Sequence, residues 1–134
     1  MKKVLIEIIF WTWCLPQTIT GLIFKWIYKA KKEWYVTTDN KGYFEYSAYI
    51  SYKMPGAISL GKYIILGRYS NDWKPYKHEK GHQKQSFILG PLYLLIIGLP
   101  SLIWCWIIHP LTKKSYYWFY TEKWADKLGG IDDR

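Results

Sequence analysis

Two short motifs carry residues whose types and spacing suit chemistry: His78-Glu79-Lys80-Gly81-His82 and, after an apolar stretch, Glu122-Lys123-Trp124-Ala125-Asp126. Together they read as a zinc site with its general base. Histidines four apart on a helix point to the same side and can share one metal ion, and the glutamate after the first can reach a water on that metal. A third protein ligand is needed. Glu122 is the natural candidate, with Asp126 one turn later on the same helical face and able to orient a liganding histidine. His109, which precedes Pro110 at the end of an apolar segment, is the alternative third ligand. A plainer reading makes His78 and His82 surface histidines on a basic helix start, surrounded by Lys74, Lys77, Lys80 and Lys84. Against it, the chain has only three histidines and two of them fall in this spacing. Gly81 and Ala125 are small enough to let the two motif-bearing helices approach closely.

These side chains need elements to hold them. Asn71 or Asp72 is placed to cap a helix over residues 75–89, with Pro75 in its first turn and Gly90-Pro91 to break it. The helix with the third ligand is expected over residues 112–128, starting near Thr112 or Ser115 and stopping at Gly129-Gly130. Residues 34–66 are rich in Tyr, Ile, Val, Thr and Ser. Turn signals fall at Asp39-Asn40-Lys41-Gly42 and Met54-Pro55-Gly56, and the segment reads as a small antiparallel sheet. Its last strand is expected over residues 57–66 (AISLGKYIIL), with Gly61 marking a bulge or a close backbone approach. That strand is either an ordinary meander strand or an edge strand whose Ser59, Leu60 and Gly61 pair with an extended peptide substrate.

With 134 residues the chain is long enough for one domain, but its composition is not that of an ordinary soluble protein. Aromatics make up 20% of it, with nine Trp and thirteen Tyr, and the formal net charge is +9. Aromatic rings beside lysines are what a bilayer interface favours. The lysines flank apolar runs instead of forming a stripe of their own, so anionic lipid headgroups are the expected partner and nucleic acid is not. Residues 4–28 follow Met1-Lys2-Lys3 and are long enough for a tilted span. Glu7 and the central Leu15-Pro16-Gln17 suit two half-helices equally. No small-residue cleavage site follows this run, so it is expected to be retained. Residues 87–108 have the length of one span but carry Pro91, Gly98 and Pro100. A straight crossing would leave a helical return of only about 18 Å to Glu122, so a helix–break–helix at Gly98-Leu99-Pro100 is expected; a straight span stays open if the metal lies deeper. Cys14 and Cys105, each inside an apolar run, read as buried inert thiols.

The two motifs and the apolar insertion between them resemble the gluzincin metallopeptidases, in particular the membrane-integrated group with the CAAX prenyl protease and the HtpX-type heat-shock protease, and the compact minigluzincins. Glu122-Lys-Trp-Ala-Asp126 is similar to that family's E-x-x-A-D pattern. The resemblance implies an α+β, membrane-associated fold with a zincin-like helical core. It further implies Zn2+ held by His78, His82 and Glu122, with Glu79 as the catalytic base and Asp126 supporting a histidine. The activity that follows is hydrolysis of a peptide or protein substrate at the membrane. Tyr116, Tyr117 and Tyr120 are candidate oxyanion stabilisers by position. The alternative is a non-catalytic small membrane protein with a structural or vestigial zinc site, in which four protein ligands close the metal off from water.

Overall fold

Tyr63, Ile64, Ile65 and Leu66 form an unbroken apolar run, and a strand without polar alternation suits burial on both faces. The computed structural model describes residues 2–39, 42–54, 56–67 and 73–131. In it, this run is β4 (Tyr63–Gly67), buried throughout and placed inside a four-stranded sheet. The order is β1-β2-β4-β3, with β1 at Lys31–Asp39, β2 at Gly42–Ser51 and β3 at Ala57–Leu60. β1 with β2 and β3 with β4 are antiparallel hairpins, whereas β4 runs parallel to β2.

The sheet is therefore mixed, which corrects the expected antiparallel one. Beyond β2 the chain first lays down the outer strand β3 and then turns back, so that the most apolar strand fills the inner position. The expected single strand over residues 57–66 is likewise two strands, folded at Gly61 with φ +59. Gly61 is also a close approach, since a Cβ there would lie 2.1 Å from Thr18 Oγ1.

One face of the sheet packs Tyr46, Ala48, Ile50, Ile64 and Leu66 against Tyr76 of α3 (Trp73–Leu89). The other packs Ile65 with Ala30 and Met54 against Phe24 of α2 (Leu15–Ile27). α1 (Lys2–Trp11) meets α2 at 90°, so residues 4–28 form two helices in place of one straight span. Pro16 sits in the first turn of α2, where its missing amide costs nothing. The expected cap at Asn71 or Asp72 lies outside the described residues; Pro75 does fall in the first turn of α3.

α3 stops at Gly90, whose φ of +56 and a Cβ position 2.1 Å from the Trp13 ring both require glycine. A long apolar helix follows, α4 (Leu94–Leu111), and it is continuous through Gly98-Leu99-Pro100. The expected break there is thus overturned. Proline removes the amide that would pair with the carbonyl four residues back. Here that carbonyl, of Ile96, accepts instead from the Tyr120 hydroxyl at 2.8 Å, and a π turn over Leu94–Gly98 absorbs the ring. α4 is long and apolar enough to cross a membrane, and little of it is buried against the rest of the protein.

The return from α4 is extended where a helix was expected. Residues 112–119 hold only one 3-10 turn, Tyr116–Trp118, and α5 (Tyr120–Gly129) starts later than the sequence suggested. Length explains it: from Leu111 back to the level of Ile96 is about 22 Å of helix rise. Eight residues cover that distance when mostly extended, but only about 12 Å as helix. Aromatic stacking fixes the path, with the Phe119 and Trp104 rings 4.8 Å apart and Trp104 Nε1 donating to Tyr116 O at 2.8 Å.

α5 then lies directly against α3. A Cβ on Gly81 would fall 1.8 Å from Ala125 O, and one on Gly129 would fall 2.0 Å from Lys77 O, so the backbones touch at two points. Backbone cannot yield as a flexible side chain can, so Gly81→Ala is expected to push the helices apart. The expected result is a loss of roughly 2–3 kcal/mol of stability together with weakened binding of any metal held between the two helices. Thermal unfolding and metal content of the purified variant would check it; a variant with wild-type values for both would contradict the close crossing.

Candidate metal centre

α3 buries His78, Glu79, His82, Gln83, Gln85 and Ser86 along with Gly81, and α5 buries Thr121, Glu122, Ala125 and Asp126. Polar groups taken out of water must find partners or they cost stability. Most of these find each other across the α3–α5 contact. His78 Nε2 lies 2.7 Å and His82 Nε2 2.9 Å from the same oxygen, Glu122 Oε2. One ligand atom from each of the three residues falls within 4.8 Å of the others. Tetrahedral zinc bonded at about 2.0–2.2 Å separates its ligands by roughly 3.3 Å, so the carboxylate need withdraw only by about half an ångström to admit the ion. Two imidazole nitrogens and one carboxylate oxygen are a donor set that zinc accepts.

The rear of each imidazole is also held. His78 Nδ1 is 2.7 Å from Asp126 Oδ1, and His82 Nδ1 is 2.7 Å from Gln85 Oε1. The Gln85 amide in turn donates to Thr121 O at 3.0 Å. With its amide nitrogen so engaged, Gln85 presents its oxygen to His82, which donates from Nδ1 and keeps Nε2 for a metal. Both histidines are therefore oriented by a hydrogen bond from the far ring nitrogen, the usual support of a metal ligand. Gln85 was missed in the sequence; its place three residues after His82 on one helix was the available signal.

Burial by itself lowers the His78 pKa, but its hydrogen bonds to Asp126 and Glu122 outweigh that and raise it to about 10. His82 is raised in the same way, against its burial, chiefly by Glu122. Glu122 is the counterpart: burial pushes its carboxyl up, and the two histidines hold it well below the usual carboxylate range. The two imidazoles and the Glu122 carboxylate thus stabilise each other's charged forms. Compared with protein-family models, with curated proteins and with solved structures, the chain matches none. The centre is accordingly read from its own geometry.

Glu79 stands apart. It is 6% exposed, and its carboxylate oxygens are not among the enclosed polar atoms left without a partner, so they keep a path to solvent. Its pKa is raised, by burial first, with His82 and His78 opposing and Glu122 and Asp126 reinforcing the rise. Tyr93, 3% exposed, is close enough for Glu79 and Glu122 to add to the burial that raises its hydroxyl pKa. No motif singles Tyr93 out from the other tyrosines. Of the three tyrosines proposed from sequence, Tyr117 meets the His78 ring edge-on at 5.2 Å. Tyr116 packs on His109, and Tyr120 is committed to Ile96.

His109 lies against Trp104 and Tyr116 at 5.4 Å from each and is not in the metal cluster. β3 is the terminal strand of the sheet beside α3, and Ser59, Leu60 and Gly61 are all buried. Two of their carbonyls are already used: Ser59 O accepts from Tyr93 at 3.4 Å and Gly61 O from Gln83 Nε2 at 3.1 Å. A peptide pairing along this edge at Ser59 would have to displace the long Tyr93 contact. A cleft of about 870 Å³ between residues 115–120 and α5 has Tyr117 and Asp126 on its wall.

The raised His78 pKa has a sign that can be tested. A group protonated more readily in the folded state stabilises it fully below the unfolded value of 6.5, and that stability is lost as pH climbs toward 10. Zinc acts oppositely, because its imidazole ligands must be unprotonated. In chelator, thermal stability is expected to fall from pH 6.5 to 10 by more in the wild type than in His78→Gln, while added zinc removes the fall. Parallel pH profiles for the two chelated proteins would contradict the assignment.

Proposed function

We propose that this protein is a membrane-associated zinc metallopeptidase of gluzincin type. The observation that carries the reading is Glu79, a carboxylate with a raised pKa that adjoins His78 in the chain and stands beside three converging ligand atoms without being one of them. Its oxygens keep a path to solvent and so can meet a water, and a raised pKa is what a general base needs. A purely structural zinc site has four protein ligands, whereas the cluster among the described residues has three.

Zinc bound at such a site supplies a water whose pKa is lowered toward about 7 and polarises a carbonyl oxygen. The chain's own groups do the rest. Asp126 and Gln85 fix the two imidazoles, so that the ligand atoms hold their direction through turnover. The Glu79 carboxylate takes the proton from the attacking water and delivers it to the departing amine. Tyr93, whose hydroxyl feels both Glu79 and Glu122, can turn from its long contact with Ser59 O to hydrogen-bond developing negative charge on the carbonyl oxygen.

Membrane association is supported by the exposed residues of α4, among them Leu95, Leu99, Leu102, Trp106 and Leu111, and by exposed Val4, Leu5 and Ile8 on α1. One experiment tests both parts. Carbonate-washed membranes holding the chain are expected to cleave a peptide library in a way that a chelator abolishes and zinc restores. Release of the chain into the wash would remove the membrane reading, and chelator-insensitive or absent cleavage the peptidase one.

A further inference from the structure

β2 and β4 are paired over only three residues each, Tyr49, Ile50 and Ser51 against Ile65, Leu66 and Gly67. On the other side of that short ladder a cavity of about 260 Å³ is lined by Ser47, Ala48 and Tyr49 of β2, Ile64 of β4, and residues of α1 and α3. Ile6 and Phe10 of α1 and Phe87 of α3 supply apolar wall, and Lys32, Lys62 and Lys80 line the cavity together with Glu7 of α1.

The charges do not cancel. Lys62 pairs with Glu7 at 2.9 Å. Lys80 donates to the neutral Gln83 Oε1 at 2.8 Å, and Lys32 lies over the Trp34 ring at 5.6 Å. Neither Lys32 nor Lys80 has a carboxylate partner among the described residues. Both lysines are exposed at the edge of the crevice, and an anion bound there would gain a charge-assisted contact from each. At about 30 Å³ per water the crevice holds roughly nine waters, enough for a headgroup and too little for a drug-sized ligand. The α1 helix that walls it turns Val4, Leu5 and Ile8 outward, each more than half exposed. A ligand with an anionic head and apolar chains therefore meets cations at the edge of the crevice and an apolar helix face beyond it.

We propose that this crevice binds a phosphate ester, with the phosphate at Lys32 and Lys80, and that its source is an anionic glycerophospholipid whose chains run over α1. The site is separate from the metal centre and does not depend on the peptidase reading; the lipid source rests on the membrane reading.

The test uses the full chain, purified and delipidated in detergent, with bound ligand counted by native mass spectrometry. Phosphatidylglycerol, phosphatidylcholine, glycerol 3-phosphate and inorganic phosphate are added separately. Wild type is expected to retain phosphatidylglycerol in preference to phosphatidylcholine. Lys32→Gln/Lys80→Gln should weaken that retention by about fivefold for each lysine, and Lys32→Arg/Lys80→Arg should keep it. Lys53→Gln/Lys113→Gln removes the same charge elsewhere and should leave retention near wild type. Glycerol 3-phosphate bound as tightly as the lipid, with the same lysine dependence, supports the phosphate site and assigns it a soluble ester. Equal loss in both glutamine variants, or no preference for phosphatidylglycerol in wild type, overturns the proposal.

Discussion

Glu79→Gln is expected to keep its zinc and lose peptide hydrolysis by roughly 10²–10⁴-fold, the usual contribution of a positioned general base. The amide has the same shape as the carboxylate but cannot accept the proton. Glu79 is outside the group of converging ligand atoms, so coordination should survive its change. Because the amide also keeps the volume of the carboxylate, the variant is expected to stay close to the wild type in stability. Asp126→Ala should behave differently. It frees the rear nitrogen of His78, and losses of about 10- to 100-fold in both zinc affinity and turnover are expected. Zinc content, turnover and thermal midpoint measured on the two variants separate the roles. Wild-type turnover in Glu79→Gln would sink the assignment of the base.

His82→Ala is expected to abolish stoichiometric zinc binding, since it leaves only His78 and Glu122 to hold the ion. It also strands Gln85 Oε1 and takes one of two imidazole contacts from Glu122, whose carboxylate is 1% exposed. Removing one partner from a buried charge network typically costs about 3–5 kcal/mol. A large drop in the unfolding midpoint should therefore accompany loss of metal, even in chelator. His109→Ala serves as the comparison, because His109 is not among the clustered ligands. Elemental analysis showing equal zinc in wild type and His82→Ala would refute the centre; loss in His109→Ala alone would move the third ligand.

The parts of this protein that could be read directly were those in which one helix turn carries the information. His78 and His82 share a face because of their spacing, and Glu122 and Asp126 do the same on α5, so the two histidines and two carboxylates that meet across the α3–α5 contact were named from the chain. Gly81 and Ala125 were legible as a close crossing for a similar reason: a missing or minimal side chain is a local property with one packing consequence. Gln85 and Tyr93 were not, because a glutamine on a polar helix and a tyrosine among thirteen acquire a role only from what packs against them.

Sheet topology and the course of the apolar segment lay beyond local spacing. Nothing within residues 57–66 says whether β4 will pair with its neighbour in sequence alone or also slip in beside β2; that depended on helices covering both faces of the sheet. Gly98 and Pro100 are breakers by their own chemistry, and α4 runs through them because Tyr120, twenty-four residues from Ile96, supplies the hydrogen bond that Pro100 cannot. By itself, then, the sequence determined the ligand types, the helix faces that carry them and the apolar character of the flanking segments, all properties of side chains at fixed helical spacing. Only the tertiary structure decided the strand order, the straight course of α4 and the extended return that brings Glu122 back to the histidines, because each rests on partners far apart in the chain whose pairing local propensity does not encode.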